Sequence, residues 1–415
     1  MSGWAAAALE DLGAALSGTS APLEFLPADD GAPRWVQRPD AASTGAAVVV
    51  RTSGSTGTPK ETLLSAENLR SSAEATAAHL GGHGQWLLSL QPSYVAGLAV
   101  LSRSLLAGTE PAVLLERTTD PQAFTAAAEQ LTHRRRYVSL VPTQLHRLLD
   151  HIPADGQACA DGRLLEVLRR FDAILLGGGA TSGELCGRAQ ELGLNVIRTY
   201  GMSETAGGCI YDGIPLPGVT VETATVETTA VETTAVETQG GGSTGSGTDD
   251  DAAAGPVLLS GPMVALGYLD PELTAARFGT DAQGRRQYRT DDLGRLSAEG
   301  RLSVLGRADD VINTGGVKVS AERIRQVLEA SPQISEAFVA GVEHSDWGQQ
   351  VVAAVVASGD PDAEALRERV RGELGAAAAP KRFLALKAVP RLANGKLDRQ
   401  ELLRLFQSPP APPSP

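Results

Sequence analysis

The chain has 415 residues, of which 42% are hydrophobic, so it can form two or three domains with a sizeable core. Its formal net charge of −13 argues against a nucleic-acid-binding protein, because such proteins carry a basic surface. No apolar run approaches the roughly 18 residues that span a bilayer, and the acidic start is unlike a signal peptide, so no membrane partner is expected.

Three cysteines, Cys159, Cys186 and Cys209, are scattered along the chain without CxxC spacing. Disulfide-rich extracellular proteins pair their cysteines, and structural zinc sites need clustered ligands. The pattern therefore indicates a reducing, cytoplasmic environment, with neither a disulfide framework nor a zinc site.

Predicted helices and strands alternate over the first half of the chain. Helices are predicted at 4–17, 65–80, 95–106, 120–133 and 142–150, and strands at 46–51, 86–90, 111–115, 137–141, 172–176 and 195–199. Residues 18–44 are rich in proline, glycine and aspartate, and are predicted to be a connection. This alternation predicts parallel sheets that bind ligands at the carboxyl ends of their strands, where the motifs of this part of the chain begin.

Helical patterns fade after about Pro215, and the short strands and turns that follow predict a small β-barrel-like subdomain. We therefore expect an α/β fold in which residues 1–306 form a large N-terminal domain of αβ sheets with this subdomain. A small, mobile α+β C-terminal domain is expected over 307–407. The proline-rich tail 408–415 is expected to be disordered.

An insert over 221–254 interrupts this pattern. It repeats Val-Glu-Thr with a five-residue period and continues into glycine-rich and aspartate-rich sequence. A period of five matches neither a helix face nor strand alternation, so the valines cannot form a core by themselves. We expect a mobile, expanded hairpin; a strand that binds a partner is the alternative.

The segment Thr52–Lys60 follows the predicted strand 46–51 and consists of small and hydroxylated residues before a lysine. Its glycines let a ligand approach the backbone closely, and its hydroxyls and N–H groups suit phosphate oxygens. The candidate phosphate-binding residues are Thr52, Ser53, Gly54, Ser55, Thr56, Gly57 and Lys60. A flexible glycine–serine turn is the alternative. A Walker A loop is excluded, because Pro59 precedes Lys60 and Glu61 follows it.

Further polar or glycine-rich segments follow this loop in order. They are Gly177–Ala180, Tyr200–Glu204, Tyr288–Gly294, Gly306–Ser320 and Pro390–Arg399. Together with the loop they resemble the motifs of the AMP-forming acyl-CoA synthetase and adenylation-enzyme superfamily, over residues from about 50 to 400. The resemblance implies that ATP and a carboxylate form an acyl-adenylate with Mg²⁺ present, and that the thiol of CoA then displaces AMP.

The resemblance assigns nucleotide-binding roles to the segments that follow two predicted strands. The adenine-lining turn would be Gly177, Gly178, Gly179 and Ala180. Within Tyr200-Gly201-Met202-Ser203-Glu204, Tyr200 would pack on adenine, Ser203 would contact the α-phosphate and Glu204 would hold Mg²⁺. Mg²⁺ prefers hard oxygen ligands that it shares with phosphates, which suits Glu204.

The resemblance implies that the later segments bind the ribose, form the interdomain hinge and reach the CoA thiol channel. Asp292 matches the ribose-binding aspartate, although Asp291 stands where the family has glycine. Arg307 would also reach the ribose, and Asp309 would be the interdomain hinge; an exposed ion pair between the two is the alternative. Gly315 and Gly316 would reach the CoA thiol channel.

Lys396 follows the turn signal Asn394-Gly395, where a lysine is usually exposed to solvent. The resemblance implies instead that Lys396 is the catalytic lysine of adenylate formation. It would then act with Lys60 and Glu204.

Segments that begin at Tyr94, Val138 and Gly201 resemble the o-succinylbenzoate–CoA ligases of menaquinone biosynthesis, a family within the superfamily. This implies o-succinylbenzoate as the small-molecule carboxylate and places Tyr94, Gly97 and Arg103 at the acyl pocket. Ser93-Tyr94 departs from the pair of histidines that this family often has. For Arg103, an exposed arginine or a structural ion pair is the alternative.

Two other functions remain open at this point. One is an AMP-forming ligase for another aryl, fatty or amino acid. The other is a nucleotide-binding relative without activity, against which the presence of Glu204 and Lys396 argues. The sequence also leaves a homo-oligomer open.

Overall fold

The computed structural model describes residues 3–28, 32–52, 60–153, 163–179, 181–224, 254–344, 346–391 and 397–407. Its helices are α1 (Gly3–Leu16), α2 (Ala66–His79), α3 (Val95–Ala107), α4 (Pro121–Ala128), α5 (Pro142–Asp150), α6 (Arg163–Arg169), α7 (Gly183–Glu191), α8 (Pro271–Arg277), α9 (Ala321–Glu329), α10 (Ala363–Leu374) and α11 (Arg399–Gln407). Short 3-10 helices lie at Pro39–Thr44, Ser203–Thr205 and Ala308–Asp310.

The strands follow the same chain order. They are β1 (Leu23–Leu26), β2 (Arg34–Gln37), β3 (Val48–Thr52), β4 (Lys60–Leu64), β5 (Gln85–Leu88), β6 (Ala112–Val113), β7 (Arg136–Leu140), β8 (Ala173–Leu176), β9 (Val196–Met202), β10 (Gly207–Tyr211), β11 (Ile214–Pro215), β12 (Thr220–Thr223), β13 (Gly255–Ser260), β14 (Gly267–Tyr268), β15 (Phe278–Thr280), β16 (Arg286–Leu296), β17 (Leu302–Arg307), β18 (Val311–Thr314), β19 (Val317–Ser320), β20 (Ile334–His344), β21 (Gly348–Ala357) and β22 (Arg382–Leu386).

The chain divides into two compact units. Unit 1 consists of Met1–Glu222, Leu258–Thr290 and Gly300–Leu302, and unit 2 of Thr223–Val257, Asp291–Glu299 and Ser303–Pro415. The mixture of helices and sheets confirms the expected α/β fold. The helices in the described part of the chain are all too short or too polar to cross a membrane.

The first sheet carries the segment that was singled out for phosphate binding. Its strand order is β14–β4–β3–β1–β2, in which β1 and β3 are parallel and the other pairs antiparallel. Strand β3 pairs with β4 so that Thr52 lies opposite Lys60. Residues 53–59 therefore connect two antiparallel strands, of which the second, β4, was not predicted from the sequence.

Residues 18–44 contain strands β1 and β2, so the predicted irregular connection is also wrong there. Each strand has only four residues, which is too short to show a reliable alternation in the sequence. Strand β1 is buried because it pairs with both β2 and β3. Pairing with strands that are distant in sequence, rather than local propensity, therefore determines that this segment forms strands.

The second sheet has the order β11–β10–β9–β8–β7–β5–β6. Strands β6, β5, β7, β8 and β9 are parallel, as predicted, while β10 and β11 continue the sheet in antiparallel orientation. Apolar side chains of the parallel strands and of helices α4 to α7 form one core, in which Phe124 and Phe171 lie 6.1 Å apart between ring centres. Because β8 and β9 are parallel, their carboxyl ends lie at one edge of the sheet.

Two motifs lie inside strands rather than after them. Tyr200 to Met202 belong to β9, and Tyr288 to Gly294 belong to β16. At Gly201 a Cβ atom would stand 2.1 Å from the carbonyl oxygen of Gly207, so only glycine lets β9 continue beside β10. The expectation that the motif at Tyr200 begins after its strand is therefore wrong.

A third sheet has the order β12–β13–β16–β15, with β17 also pairing with β16. In unit 2, a further sheet has the order β19–β18–β21–β20, and β22 is parallel to β21. Successive residues of β20 alternate between its two faces, because side chains of a strand point to opposite sides. Ala337 and Val339 pack towards α9 and α10, whereas Phe338 and Ala340 pack towards α11.

Candidate active site

Several of the predicted site residues lie outside the described part of the chain. These are Ser53, Gly54, Ser55, Thr56, Gly57, Ala180 and Lys396. The same holds for residues 225–253 of the insert, for the tail 408–415 and for the side chain of Asp309. Their predicted roles remain predictions.

Thr52 and Lys60 form the two ends of the predicted phosphate loop. They face each other in the β3–β4 ladder, and the hydroxyl of Thr52 donates to the carbonyl oxygen of Lys60 over 3.5 Å. The pairing of Thr52 with Lys60 thus fixes the positions at which the chain leaves the sheet and returns to it.

A network of ion pairs lies beside these two ends. Glu24 on β1 is 2% exposed, and it accepts hydrogen bonds from Arg38 and, over 2.6 Å, from Nε of Arg51. Arg51 also lies 3.0 Å from Glu61, and Arg38 lies 2.9 Å from the same carboxylate oxygen. Because a buried carboxylate is stable only with such partners, the network fixes β1, β3 and β4 against one another.

Glu204 lies in the 3-10 helix after β9 and is 7% exposed. Its Oε1 atom accepts a hydrogen bond from the hydroxyl of Tyr268 over 2.7 Å and a longer one from Tyr288 over 3.3 Å. The two phenol oxygens lie 3.3 Å apart. Burial, followed by the charge of Glu204, raises the pKa of Tyr268, so this phenol stays protonated and can donate.

Lys60 contacts the same tyrosine from another side. Its Nζ atom lies 5.6 Å from the centre of the Tyr268 ring, within the range of a cation–π contact. Strand β14 pairs with β4 so that Tyr268 lies opposite Thr62, two residues after Lys60. Lys60 and Glu204, both predicted from motifs, therefore converge on a residue to which the motifs assign no role.

The carboxylate of Glu204 suits Mg²⁺, which keeps several waters and takes few protein ligands when it shares phosphates with a nucleotide. Groups of three or more histidine, cysteine or acidic side chains that could hold a metal alone do not occur among the described residues. A single carboxylate at this position can hold Mg²⁺ together with a nucleotide.

The glycines of the predicted adenine turn have different structural requirements. A Cβ atom at Gly177 would stand 2.3 Å from Oγ1 of Thr199, so glycine is needed for β8 and β9 to approach each other. Gly178 has a φ of +79°, which favours glycine, whereas a Cβ at Gly179 would meet nothing within 4 Å. The neighbouring Tyr200 is half-buried, and Ser203 is buried.

In unit 2, Arg307 forms an ion pair with Asp291, with 3.5 Å between Nη2 and Oδ2. Asp291 is the residue that departs from the family pattern, and Asp292 beside it is half-buried. Both predicted ribose contacts, Asp292 and Arg307, thus belong to β16 and β17 of one sheet.

Gly315 and Gly316 form the two-residue turn between β18 and β19. Thr314 and Val317 are paired on either side of them, and their φ angles are +59° and +83°. Positive φ at both positions is typical of a tight hairpin turn and favours glycine. The backbone N–H of Gly315 donates to the carbonyl oxygen of Trp347 over 2.9 Å.

Tyr94 and Gly97 lie at the start of α3. Tyr94 is the N-cap residue, and burial raises the pKa of its phenol. A Cβ atom at Gly97 would stand 2.4 Å from the carbonyl oxygens of Leu90 and Gln91. Glycine therefore allows the first turn of α3 to pack closely on the preceding loop.

Arg103, further along α3, is 5% exposed, so the alternative of an exposed arginine is wrong. Its Nη2 atom donates to the hydroxyls of Thr76 over 3.1 Å and Tyr211 over 3.4 Å. Its guanidinium carbon lies 4.9 Å from the centre of the Trp86 ring. These contacts orient at least one edge of the guanidinium towards α2 and β10.

Two family models match this chain. The model described as "AMP-binding enzyme" matches residues 8–269, and the model described as "AMP-binding enzyme C-terminal domain" matches residues 324–396. The first match includes the segments Thr52–Lys60, Gly177–Ala180 and Tyr200–Glu204, and the second reaches Lys396. The segments Tyr288–Gly294 and Gly306–Ser320 lie between the two matches.

Named relatives and a solved structure extend this similarity. A protein of Mycobacterium tuberculosis (strain CDC 1551 / Oshkosh) named "Probable 2-succinylbenzoate–CoA ligase" is 37% identical over 367 residues, which cover 87% of this chain and 84% of the relative. The 2-succinylbenzoate–CoA ligase of Geobacillus kaustophilus (strain HTA426) is 31% identical over 366 residues, covering 87% of this chain and 69% of the relative.

The solved structure is the o-succinylbenzoate CoA synthetase of Bacillus subtilis in complex with the acyl-adenylate intermediate OSB-AMP. It has a TM-score of 0.68 and 25% identity, and the similarity covers 91% of this chain and 72% of that chain. The fold described above is therefore that of an adenylate-forming enzyme.

Proposed function

Because this chain belongs to the AMP-binding enzyme family, we propose that it is a 2-succinylbenzoate–CoA ligase of menaquinone biosynthesis. It would activate the carboxylate with ATP as an acyl-adenylate and then form the thioester with CoA. The relative that is 37% identical over 87% of the chain supports the substrate. The convergence of Lys60 and Glu204 on Tyr268 is the observation that carries the chemistry.

In the first half-reaction, a carboxylate oxygen of the acid attacks the α-phosphorus of ATP, and pyrophosphate leaves. Both reactants are negatively charged, so the protein must offset their repulsion before the bond forms. Lys60, the first residue of β4, supplies a positive charge for the phosphates, and Glu204 holds Mg²⁺. When bound, Mg²⁺ adds positive charge next to the phosphate oxygens. No side chain has to act as a nucleophile, since the substrate carboxylate is one.

In the second half-reaction, the CoA sulfur attacks the acyl carbon and AMP leaves. We propose that Lys396 serves only the first half-reaction and that Gly315 and Gly316 serve the second. Asp309 would be the hinge between the two arrangements. Asp292 and Arg307 would bind the ribose in this scheme.

Measuring pyrophosphate release with ATP, Mg²⁺ and a panel of carboxylates tests the proposal. The panel contains 2-succinylbenzoate, benzoate, a fatty acid and an amino acid, and a parallel melting-temperature measurement reports binding without turnover. We expect 2-succinylbenzoate to give the highest kcat/KM and CoA to convert the adenylate to the thioester. A higher kcat/KM for another acid would instead assign the chain to a different AMP-forming ligase.

A further inference from the structure

The two oxygens of the Glu204 carboxylate have different surroundings. Oε1 accepts hydrogen bonds from Tyr268 and Tyr288, whereas Oε2 accepts none from the residues that the structure describes. Both tyrosines are buried. A carboxylate that uses one oxygen for two fixed donors presents the other oxygen in a defined direction.

Aromatic packing holds the two tyrosines in place. The ring of Phe278 contacts both of their rings, with centre-to-centre distances of 5.3 Å to Tyr268 and 4.9 Å to Tyr288. Strand β15 carries Phe278 opposite Tyr288 on β16. A movement of either hydroxyl away from Glu204 would therefore disturb the packing of its ring against Phe278, which is itself partly buried.

The ring and the hydroxyl of Tyr268 have different contacts. The ring lies near the ammonium group of Lys60, and the hydroxyl donates to Glu204. A change at this one residue can therefore remove the hydroxyl contact alone or both contacts together.

We propose that Tyr268 is a positioning residue that orients Glu204 towards Mg²⁺ and holds Lys60 towards the phosphates, with Tyr288 as the second donor to Glu204. The inference rests on the function proposed above. Partners that orient a metal ligand typically change metal affinity by about 10- to 100-fold when they are removed. The shorter bond, from Tyr268, is expected to contribute more than the longer one, from Tyr288.

The test measures ATP binding by calorimetry, without a carboxylate substrate, at a series of Mg²⁺ concentrations. Tyr268→Phe is expected to raise the Mg²⁺ concentration for half-maximal enhancement of ATP binding by about tenfold or more. Binding of ATP without Mg²⁺ should change little, because the ring remains beside Lys60. Tyr268→Leu removes the ring as well, and should also weaken metal-free ATP binding.

Tyr137→Phe is the matched control. The Tyr137 hydroxyl is also buried and donates to the carbonyl oxygens of Leu80 and Gly82, on other elements of unit 1. It should leave the Mg²⁺ requirement unchanged. Tyr288→Phe should raise the Mg²⁺ concentration for half-maximal enhancement by less than Tyr268→Phe does. If Tyr268→Phe fails to fold, Tyr288→Phe still tests the inference.

If neither Tyr268→Phe nor Tyr288→Phe shifts the Mg²⁺ requirement more than Tyr137→Phe does, the inference is overturned while the proposed function stands. If ATP binding by the wild-type protein does not respond to Mg²⁺ at all, the proposed function itself is wrong.

Discussion

Arg103 is a buried cation whose contacts in the described part of the chain are two hydroxyl groups and an aromatic ring. A buried charge without an opposite charge is costly, so it is retained only where other groups solvate it or where a ligand supplies the charge. Its Nε atom has no hydrogen-bond partner within the described part of the chain. A guanidinium has five N–H donors, so Arg103 keeps donors that a substrate carboxylate could use.

We therefore expect Arg103→Met to raise KM for 2-succinylbenzoate by about tenfold, and to change KM much less for a monocarboxylate analogue that lacks the aromatic acid group. The measurement compares steady-state kinetics of the two acids with the variant and the wild type. An equal change for both acids, with a lower melting temperature, would assign Arg103 a purely structural role.

At the same scale, the sequence was sufficient to single out Lys60 and Glu204, because each lies in a motif. It could not connect them with Tyr268 and Tyr288. The contact between Lys60 and Tyr268 depends on the pairing of β14 with β4, and the one between Glu204 and Tyr268 on where β9 ends. Neither the pairing of β14 with β4 nor the end of β9 can be predicted from the local periodicity of the sequence.

Strand β12 (Thr220–Thr223) contains the first Val-Glu-Thr of the insert, and β13 begins at Gly255, directly after the insert. The two strands are neighbours in a sheet, and the N–H of Ala224 donates to the carbonyl oxygen of Pro256 over 2.9 Å. Glu222 also accepts a hydrogen bond from Gln287 over 3.2 Å. The base of the predicted hairpin is therefore part of the sheet, although the repeats begin within it.

Deletion of residues 226–252 should leave melting temperature and turnover close to the wild type. The repeats lack a period that could pack, and the closure cost of a loop changes by only about 0.6 kcal/mol for each doubling of its length. Thermal unfolding and the pyrophosphate assay check this expectation. A deletion that also removes β12 serves as the contrast, and should destabilise the protein.

A loss of soluble protein on deletion of 226–252 alone would show that the repeats are structural.

Among the helices and strands, long periodic segments such as α2 and α3 could be predicted closely from the sequence. Strands β1, β2 and β4 could not, because they are short and owe their stability to partners that are distant in sequence.

At the scale of the molecule, the chain contributes motif residues to both compact units. Lys60 and Glu204 belong to unit 1, whereas Asp292 and Arg307 belong to unit 2. Alternation of predicted strands and helices along the sequence predicted the α/β class of the fold. The sequence could not predict that segments as short as Gly300–Leu302 change units, because such divisions depend on contacts across the whole fold.

Lys396→Ala should separate the two half-reactions. We expect pyrophosphate release to fall by about 100-fold or more, since a transition-state charge contact is lost, while thioester formation from preformed acyl-adenylate stays close to the wild-type rate. Rapid-quench measurement of each half-reaction checks this. Lys387→Ala, at an exposed lysine of unit 2, is the control and should affect neither. Pyrophosphate release at a near-normal rate in Lys396→Ala would refute the assigned role.

Helix α11 has a consequence for biosynthesis. Leu402 and Phe406 cover one face of the β20–β21 sheet, where Phe338 and Val352 are buried. While the ribosome is still translating the segment before α11, that apolar face has no cover, and a nascent chain that pauses there offers a binding surface to chaperones or to other unfinished chains. The match to the C-terminal family model ends at residue 396, before α11 begins. A shortened gene product that stops at this boundary would therefore be prone to aggregation and degradation, although it would contain every residue of the matched segment.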